Sequence, residues 1–516
     1  MKKKALKVLA MALTMTAGML TACGDPGGSG SSDKAEGNSQ SRSESSVEES
    51  SESSQQAQES GGNDAAGETV NIKWYRYQPY ADADEQEVVD AINAYIEPLI
   101  GVTVTVINAG QMEELDLALA SGEDIDIFWA ASWKNGFTYV KNNSAMDLTD
   151  LIPNYPVLQE SIPENIWEGA KLNGRNYYVP IYKESATGYG MVYPLEVAER
   201  YGWDMDSVKT MADLTPLLQD AYEGGATRAY CGSGLEFANS HVDDYSFIEY
   251  RYCVKADGSD STVMNMADLP EYAEFLKLRR EWNQAGYING DYIEGYTTGA
   301  DLIQLTANGD AVFSAWAIVP DGEGIASARF GIPCGIVELT GSYINTNSPF
   351  GSAYMINVNT QKADACLKFL ELLSTDETLA NLAVYGIEGK HYNLTEDGRV
   401  QTVENSGFGY STWSSCSVLA PTLQVGEAEN KKELYDEFNK EAQVAVHSGF
   451  YFDNTNVESE MAAIDAVYDE YQDLLEFGFY DPEVYLPKFQ EALKTAGVDK
   501  VIAEIQSQYD AWLQVK

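Results

Sequence analysis

The fold of this chain is decided by residues 69–129, TVNIKWYRYQPYADADEQEVVDAINAYIEPLIGVTVTVINAGQMEELDLALASGEDIDIFW. Three segments within this stretch predict strands, because they alternate or are rich in β-branched residues: 69–75, 102–107 and 124–129. The two segments between them carry apolar residues at helical spacing and predict helices: 84–100 and 112–120. Strand, helix, strand, helix, strand is the pattern of a parallel, doubly wound α/β sheet.

Aromatic residues cluster at the predicted carboxyl ends of the first and third strands. Tyr77 and Tyr80 follow the first strand, and Trp129 and Trp133 lie at and just beyond the end of the third. In a parallel sheet of this kind, ligands bind beyond the carboxyl ends of the strands. Flat rings stack on the apolar faces of sugars, so the pattern favours a carbohydrate-binding cleft, although each ring could instead pack in the core.

The rest of the chain continues the α/β pattern and ends in helices. Residues 309–316 predict a turn and a buried strand, and the chain from Lys431 to its end is predicted to be nearly all helical. Asp481 and Pro482 open one of these helices, and Gly497 separates the last two. The C-terminal region is therefore predicted to be a group of packed helices.

The length of the chain predicts two lobes. The 447 residues from 70 to 516 are too many for one simple core. Lobe 1 is expected at about 70–182 and 311–362, and lobe 2 at about 183–310 and 363–516. The chain would then cross between the lobes more than once.

Residues 1–69 predict a targeting peptide and a tether. Residues 1–7 carry four lysines and residues 8–20 are apolar, as in a signal peptide. Thr21 and Ala22 lead into Cys23, which resembles a bacterial lipobox, so residues 1–22 are expected to be removed and Cys23 to be lipidated. An ordinary signal peptide with a chance cysteine is the alternative. Residues 24–69 contain no aromatic residue and no Leu, Ile, Phe or Met, which predicts a disordered Ser/Gly/Glu linker.

The chain is strongly acidic, with 33 Lys and Arg against 80 Asp and Glu and a formal net charge of −47. Nucleic acid needs basic contacts to its phosphates, so no nucleic-acid partner is expected. The acidity also argues against adhesion to anionic lipid. No apolar run after the signal peptide reaches the length of a membrane-spanning helix, so the lipid on Cys23 is the only membrane attachment expected.

The sequence lacks the motifs that would indicate an enzyme or a metal protein. It contains no Gly-x-Ser-x-Gly, no P-loop, no His-Glu-x-x-His and no EF-hand loop, and its three histidines do not have metal-ligand spacing. Neither catalysis nor a cofactor nor a metal is therefore expected. A glycosidase would need two carboxylates across a cleft, for which the candidates are Glu113, Glu184 and Asp301.

Five cysteines follow Cys23, and none forms a CxxC motif. An odd number without that motif argues against a disulfide framework and against a zinc site. The five could be small buried hydrophobes, and a disulfide between Cys231 and Cys253 stays open.

Three further segments indicate a family. The first is 121–128 with Trp133 beyond it. The second combines the stretches 347–351, 363–373 and 385–392, with GIEGKHY at 386–392, and the third is 486–500. Together with the lipobox and the βαβαβ start, they resemble the extracellular solute-binding proteins of ABC importers. The resemblance is to the large oligosaccharide-binding lipoproteins of the LipO/YtcQ-like group, and its most specific part is the stretch 386–392.

This resemblance implies an α/β, two-lobed, periplasmic-binding-protein-like fold with a hinge and a helical C-terminal region. A ligand held by both lobes would favour the closed form, which would dock on the transmembrane subunits of an ABC permease. The protein would be a monomer, anchored by its N-terminal lipid to the outer face of the cytoplasmic membrane of a Gram-positive cell.

Nine residues are candidates for contact with the ligand. Those expected to stack on it are Tyr77, Tyr80, Trp129, Trp133, Trp316 and Trp413, and those expected to hydrogen-bond to it are Glu184, Asp301 and Asn347. No basic cluster is obvious beside Trp129 and Trp133, so a neutral sugar fits better than a uronic acid or a phosphorylated sugar, and a cationic sugar stays open. The alternatives are a peptide-binding receptor, a surface glycosidase, and a sensory or adhesion lipoprotein without a permease.

Overall fold

The computed structural model describes residues 69–78, 81–108, 112–232, 236–249, 251–288 and 299–516. The signal peptide, Cys23, the linker and Tyr80 lie outside the described residues. Two lobes, each built around its own sheet, and a C-terminal group of helices make up the described part of the chain.

Strands occur along most of the described chain. In order they are β1 (Val70–Arg76), β2 (Val102–Asn108), β3 (Ile127–Ala130), β4 (Val179–Pro180), β5 (Tyr189–Pro194), β6 (Arg228–Cys231), β7 (Tyr245–Ile248), β8 (Tyr252–Lys255), β9 (Met264–Asn265), β10 (Ala311–Ala317), β11 (Cys334–Glu338), β12 (Tyr343–Ile344), β13 (Ala353–Ile356), β14 (Tyr392–Leu394), β15 (Val400–Thr402) and β16 (Gln443–Val444).

Helices alternate with the strands in most of the chain and predominate towards the C-terminus. In order they are α1 (Glu85–Ile100), α2 (Met112–Ser121), α3 (Gly136–Lys141), α4 (Pro156–Glu160), α5 (Glu164–Gly169), α6 (Leu195–Tyr201), α7 (Thr215–Glu223), α8 (Glu236–Ser240), α9 (Pro270–Ala285), α10 (Gly299–Ala307), α11 (Gly322–Phe330), α12 (Ala363–Thr375), α13 (Glu377–Tyr385), α14 (Thr412–Ser415), α15 (Lys431–Glu441), α16 (Glu458–Glu476), α17 (Pro482–Ala496) and α18 (Val498–Leu513).

The first sheet, with the order β2-β1-β3-β13-β4, lies at the centre of lobe 1. β1 runs parallel to both β2 and β3, with Val70 opposite Val102 and Trp74 opposite Ile127. α1 ends at Gly101, whose φ of 68° is rarely adopted by a residue with a side chain. The βαβαβ start predicted from the sequence is confirmed, and β13 returns antiparallel beside β3.

The second sheet, with the order β11-β5-β10-β6, lies at the centre of lobe 2. β10 runs antiparallel to β5 and parallel to β6. The sequence placed residues 311–362 in lobe 1, whereas the structure places β10 in the lobe 2 core, where Phe313 contacts Tyr193 and Trp203. A buried strand carries no local mark of the sheet that it joins, because pairing with a distant strand decides it.

Helices α12 and α13 also differ from the sequence-based lobe boundaries, which placed residues 363–516 in lobe 2. Leu367 and Phe369 of α12 are buried in the lobe 1 core, where the Phe369 ring lies 5.1 Å from that of Trp74. The same core continues as far as Ala442. Lobe 1 therefore takes in most of the chain from β13 to α15.

The C-terminal helices α16, α17 and α18 pack on α9, on the lobe 2 side of the molecule. One shared core joins Leu276 of α9 to Phe489 of α17 and Ile505 of α18. α17 begins at Pro482 as predicted, and the Asp481 carboxylate caps it by accepting a backbone hydrogen bond. The helical C-terminal region is confirmed.

Three segments cross between the lobes, and together they are named the hinge segments here: 181–188, 339–352 and 442–450. They are hydrogen-bonded to one another. Thr187 and Tyr343 exchange two backbone hydrogen bonds of 2.9 Å, and β12 pairs in parallel with β16. The two-lobed fold with a hinge is therefore confirmed, and the chain crosses the hinge three times in its described part.

Within the described ranges, no helix combines the length and the apolar character needed to cross a membrane. The five cysteines of this part are buried free thiols, so Cys231 and Cys253 do not pair. Burial raises the pKa of the Cys231 thiol to about 12 and that of Cys253 to about 12, which keeps both neutral.

Candidate functional site

Four aromatic side chains, Tyr77, Trp129, Trp133 and Trp413, lie together at the carboxyl edge of the first sheet and form what is named the aromatic platform here. Tyr77 stacks on Trp129, with ring centroids 4.3 Å apart and planes at 21°. Trp133 lies 5.6 Å from Trp129 and 5.9 Å from Tyr77 in edge-on contacts. Trp413 lies 6.2 Å from each of the other three rings. The structure thus brings together four of the six candidate stacking residues.

Burial divides the rings of the platform. Trp129 is only 1% exposed, and its Nε1 donates to Ser352 Oγ at 2.7 Å. Trp133 and Trp413 are half-buried, and Trp133 Nε1 donates to the carbonyl oxygen of Gly351 at 2.8 Å. Trp133 and Trp413 therefore keep ring surface for a ligand, whereas Trp129 is the base on which Tyr77 stacks.

Polar groups lie beside the backbone that holds the platform. Lys183 Nζ is 3.0 Å from Glu184 Oε1. The same Nζ also lies close to Gly351, because a Cβ atom added at Gly351 would be 3.7 Å from it. Ser132, next to Trp133, donates from Oγ to the carbonyl oxygen of Asn347 at 3.3 Å. Glu184 and Asn347 thus lie on hinge segments whose neighbouring residues contact the platform.

The other three candidate residues are not part of the platform as described. Trp316 lies on β10 in lobe 2, where it is 6% exposed and its ring is 5.9 Å from Phe330. Asp301 lies in α10, and its side chain is outside the described atoms, as is the whole of Tyr80. Trp316 does lie near the carboxyl end of a strand, but that strand belongs to the second sheet.

Basic side chains lie nearer to the platform than the sequence indicated. Lys134 Nζ is 5.8 Å from the centroid of the Trp133 ring, within range of a cation–π contact. Lys183 is buried near the same backbone, where Glu184 offsets its charge. Lys134 could have been found, because it directly follows Trp133. Lys183 could not, because its position depends on contacts with the distant segment around Gly351.

Two of the three carboxylates considered for a glycosidase have described side chains. Glu113 is exposed on α2, and Glu184 forms an ion pair with Lys183. Among the residues described, no group of three or more His, Cys, Asp and Glu side chains is placed to hold a metal ion.

Comparison with protein families gives two matches. Residues 90–387, which include the second sheet, all strands of the first sheet except β1, and the first two hinge segments, match the family described as bacterial extracellular solute-binding protein. Residues 446–514, which hold α16, α17 and α18, match a domain of unknown function, DUF3502.

Individual proteins of Streptococcus pneumoniae are also similar to this chain. A carbohydrate ABC transporter substrate-binding protein of serotype 4 is 26% identical over 474 residues, which is 87% of this chain and 92% of that protein. The crystal structure of an N-glycan transport solute binding protein has a TM-score of 0.75 at 23% identity, covering 86% of this chain and 99% of its own. Its complex with Man5GlcNAc has a TM-score of 0.64 at 23% identity, covering 87% and 99%.

A third pneumococcal protein is more distant. The ABC-transporter substrate binding protein FusA, solved in complex with kestose, has a TM-score of 0.53 at 14% identity and covers 87% of this chain and 100% of its own. At these identities the structural likeness concerns the fold, which is the two-lobed arrangement described above.

Proposed function

The chain belongs to the bacterial extracellular solute-binding proteins, and we propose that it is the substrate-binding protein of a carbohydrate ABC transporter. It captures an oligosaccharide between its lobes and delivers it to the transmembrane subunits of the permease. The observation that carries this proposal is the aromatic platform, which lies at the ligand-binding edge of the first sheet. Membership of a solute-binding family makes the chain a binding protein rather than an enzyme.

The chemistry of the platform suits the flat faces of sugar rings. The half-buried rings of Trp133 and Trp413 lie 6.2 Å apart with planes at 42°, so they can contact different faces or successive units of one glycan. Glu184 and Asn347 are the polar groups best placed to bind hydroxyls at the same edge. A neutral oligosaccharide is the first candidate, because Glu184 already offsets the charge of Lys183.

The hinge couples capture to delivery. Lobe 1 carries the platform, and in this proposal lobe 2 closes over the ligand by a movement at the hinge segments. A glycan that contacts both lobes binds the closed form more tightly than the open form, and this difference in affinity shifts the hinge equilibrium. The permease can then distinguish loaded from empty protein by shape.

The sequence supports three finer proposals about the whole protein. Its motifs favour the LipO/YtcQ-like group of oligosaccharide-binding lipoproteins. Its lipobox favours a lipid on Cys23 that anchors a monomer to the outer face of the cytoplasmic membrane. A diacylated cysteine provides the two chains that stable anchoring requires.

The test is a titration of intrinsic tryptophan fluorescence with a panel that contains Man5GlcNAc, kestose, maltotetraose and chitotetraose. We expect a saturable change with at least one glycan, because Trp133 and Trp413 keep exposed ring surface. Trp133→Ala should weaken that binding by about tenfold, which corresponds to about 1.4 kcal/mol, a typical value for one stacked aromatic contact.

The matched control is Trp203→Ala, which removes a ring stacked on Tyr201 at 5.2 Å in lobe 2, away from the platform. It should leave glycan affinity unchanged. A response to basic peptides but to no glycan would replace the ligand class, and shortening of the glycan during incubation would favour a glycosidase. Unchanged affinity in Trp133→Ala would remove the platform from the site.

A further inference from the structure

The stretch GIEGKHY, residues 386–392, folds as a tight turn after α13. Gly386 has a φ of 84°, and a Cβ there would lie 2.5 Å from His391 Nδ1, so glycine lets the chain pass close to the ring. The backbone N–H of Ile387 donates to that Nδ1 at 2.9 Å. Because Nδ1 accepts this hydrogen bond, the buried ring carries its proton on Nε2.

Lys390 and His391 both bind the carboxylate of Asp84, the residue before α1. Lys390 Nζ lies 2.9 Å from Asp84 Oδ2 and 2.5 Å from Glu87 Oε2. His391 Nε2 donates to the same Asp84 oxygen at 3.3 Å. The hydrogen bond from Lys390, and then that from His391, lower the pKa of Asp84, so this carboxylate stays ionised.

Asp84 in turn lies against the segment that leads to Trp413. Its backbone N–H donates to the carbonyl oxygen of Gly407 at 3.0 Å. The two residues are so close that a Cβ atom added at Gly407 would be only 2.6 Å from the Asp84 carboxylate. Three residues further on, Tyr410 Oη donates to the carbonyl oxygen of Tyr77 at 2.9 Å. The segment 407–413 is thus bound both to the entry of α1 and to the platform residue that follows β1.

We propose that Lys390 and His391 are positioning residues for the aromatic platform. Their contacts with Asp84 connect the N-terminal end of α1 to the segment 407–413. This connection keeps the Tyr77 and Trp413 rings at a fixed distance from each other. This inference rests on the proposed function, because it takes the platform as the stacking surface for the ligand. A platform held in place before the ligand arrives loses less conformational entropy on binding and so gains affinity.

The first test uses Lys390→Met, because Lys390 is partly exposed and its loss should leave the fold intact. We expect the affinity for Man5GlcNAc to fall by about threefold, since exposed ion pairs are individually weak and Lys390 makes two. Lys390→Arg, which can still reach Asp84, should restore most of the affinity. Lys368→Met is the matched control, because Lys368 forms an exposed pair with Asp364 on α12 and does not contact Asp84.

A double-mutant cycle separates positioning from a general loss of stability. In a Trp413→Ala background there is no Trp413 ring to position, so Lys390→Met should cost clearly less affinity than it does in the wild type. An equal loss in both backgrounds would overturn the inference. If none of the panel glycans binds the wild type, the proposed function fails, and the ligand-free measurement then decides the positioning role by itself.

The ligand-free measurement is ¹⁹F NMR of protein labelled with 5-fluorotryptophan, in which Trp413→Phe assigns the Trp413 signal. Lys390→Met should shift or broaden the Trp413 signal, and Lys368→Met should not. His391→Leu should have a larger effect than Lys390→Met, with His391→Gln between them because its amide can donate to Asp84. An unchanged Trp413 signal in both Lys390→Met and His391→Leu would show that these residues do not position the ring.

Discussion

Trp129 and Trp133 look equivalent in the sequence pattern, but they differ in burial. Trp129 is the next-to-last residue of β3 and Trp133 lies three residues beyond the strand, yet Trp129 is covered by Tyr77 and Trp133 keeps part of its ring exposed. The hydrogen-bond partners of the two indoles, Ser352 and Gly351, come from a segment more than 200 residues away. The sequence near β3 cannot show which ring is exposed and which is buried, because the distant segment around Gly351 decides this.

His447, in the third hinge segment, should make the stability of the protein depend on pH. It is buried and its Nδ1 lies 2.5 Å from Ser246 Oγ. Burial, with a contribution from Lys516, lowers its pKa from 6.5 to about 4. The folded protein therefore binds fewer protons than the unfolded chain between these values, so this residue's contribution is complete above about pH 6.5 and is lost as the pH falls towards 4.

Urea unfolding of the wild type and of His447→Gln at pH 7.5 and pH 4.5 measures this effect. The free energy of unfolding of the wild type should fall more than that of the variant, by up to about 3 kcal/mol. The comparison between the two proteins cancels the other titrating groups, including Glu476, whose pKa burial raises to about 7 and whose contribution has the opposite sign. Equal pH dependence in the two proteins would contradict the assignment.

At the scale of elements, a buried ionic network joins the second sheet to the helices of lobe 2. Glu236 at the start of α8 accepts hydrogen bonds from Tyr189 Oη at 2.7 Å and Tyr230 Oη at 2.6 Å. Its other oxygen lies 3.1 Å from Arg279 of α9, which is fully buried. Arg279 Nε donates to the carbonyl oxygen of Glu476 at 2.7 Å and so reaches the end of α16.

Arg279→Met should destabilise lobe 2 strongly, because it leaves the Glu236 carboxylate buried without its cation. Breaking one partner of a buried pair costs about 3–5 kcal/mol, which urea unfolding resolves. Lys277→Met on the same helix is the control, since it breaks an exposed pair with Glu274 and should cost at most about 1 kcal/mol. The double variant Glu236→Gln, Arg279→Met should cost less than the sum of the single changes, and strict additivity would argue against a coupled pair.

At the scale of the whole molecule, we propose that the hinge, the platform and a lipid tether at Cys23 act together. The three hinge segments are hydrogen-bonded to each other, so the lobes are joined by one connected region. The polar composition of residues 24–69 predicts a linker, for which a flexible coil of this length would have an r.m.s. reach of roughly 35–40 Å. In the proposed arrangement, such a reach would let the receptor turn towards a permease.

Replacing Cys23 with alanine tests this arrangement, because it removes the thiol that would carry the lipid. We expect the Cys23→Ala protein to appear in the culture medium, whereas the wild type stays in the membrane fraction, as measured by immunoblotting of the two fractions. Cys231→Ala, which removes a buried thiol of lobe 2, is the control and should stay with the membrane. Retention of the Cys23→Ala protein in the membrane would show that another feature anchors it.

The sequence by itself determined what depends on local pattern. Alternation and helical spacing predicted the βαβαβ start, the C-terminal helices and the cap before Pro482, because these signals act over a few residues. The aromatic residues at strand ends identified three members of the platform, Tyr77, Trp129 and Trp133, since parallel strands end at one edge of their sheet. The resemblance of 386–392 to a known family indicated a special role for that stretch without saying which.

Only the tertiary structure decided what depends on contacts between distant segments. It placed β10 in the second sheet and α12 in the lobe 1 core, against the expected boundaries, because a buried strand or an amphipathic helix fits either lobe equally well by its own pattern. It separated Trp316 from the platform and brought Lys183 near to it. The physical reason is the same in each case: burial and pairing are properties of two surfaces that meet, and one stretch of sequence describes only one of them.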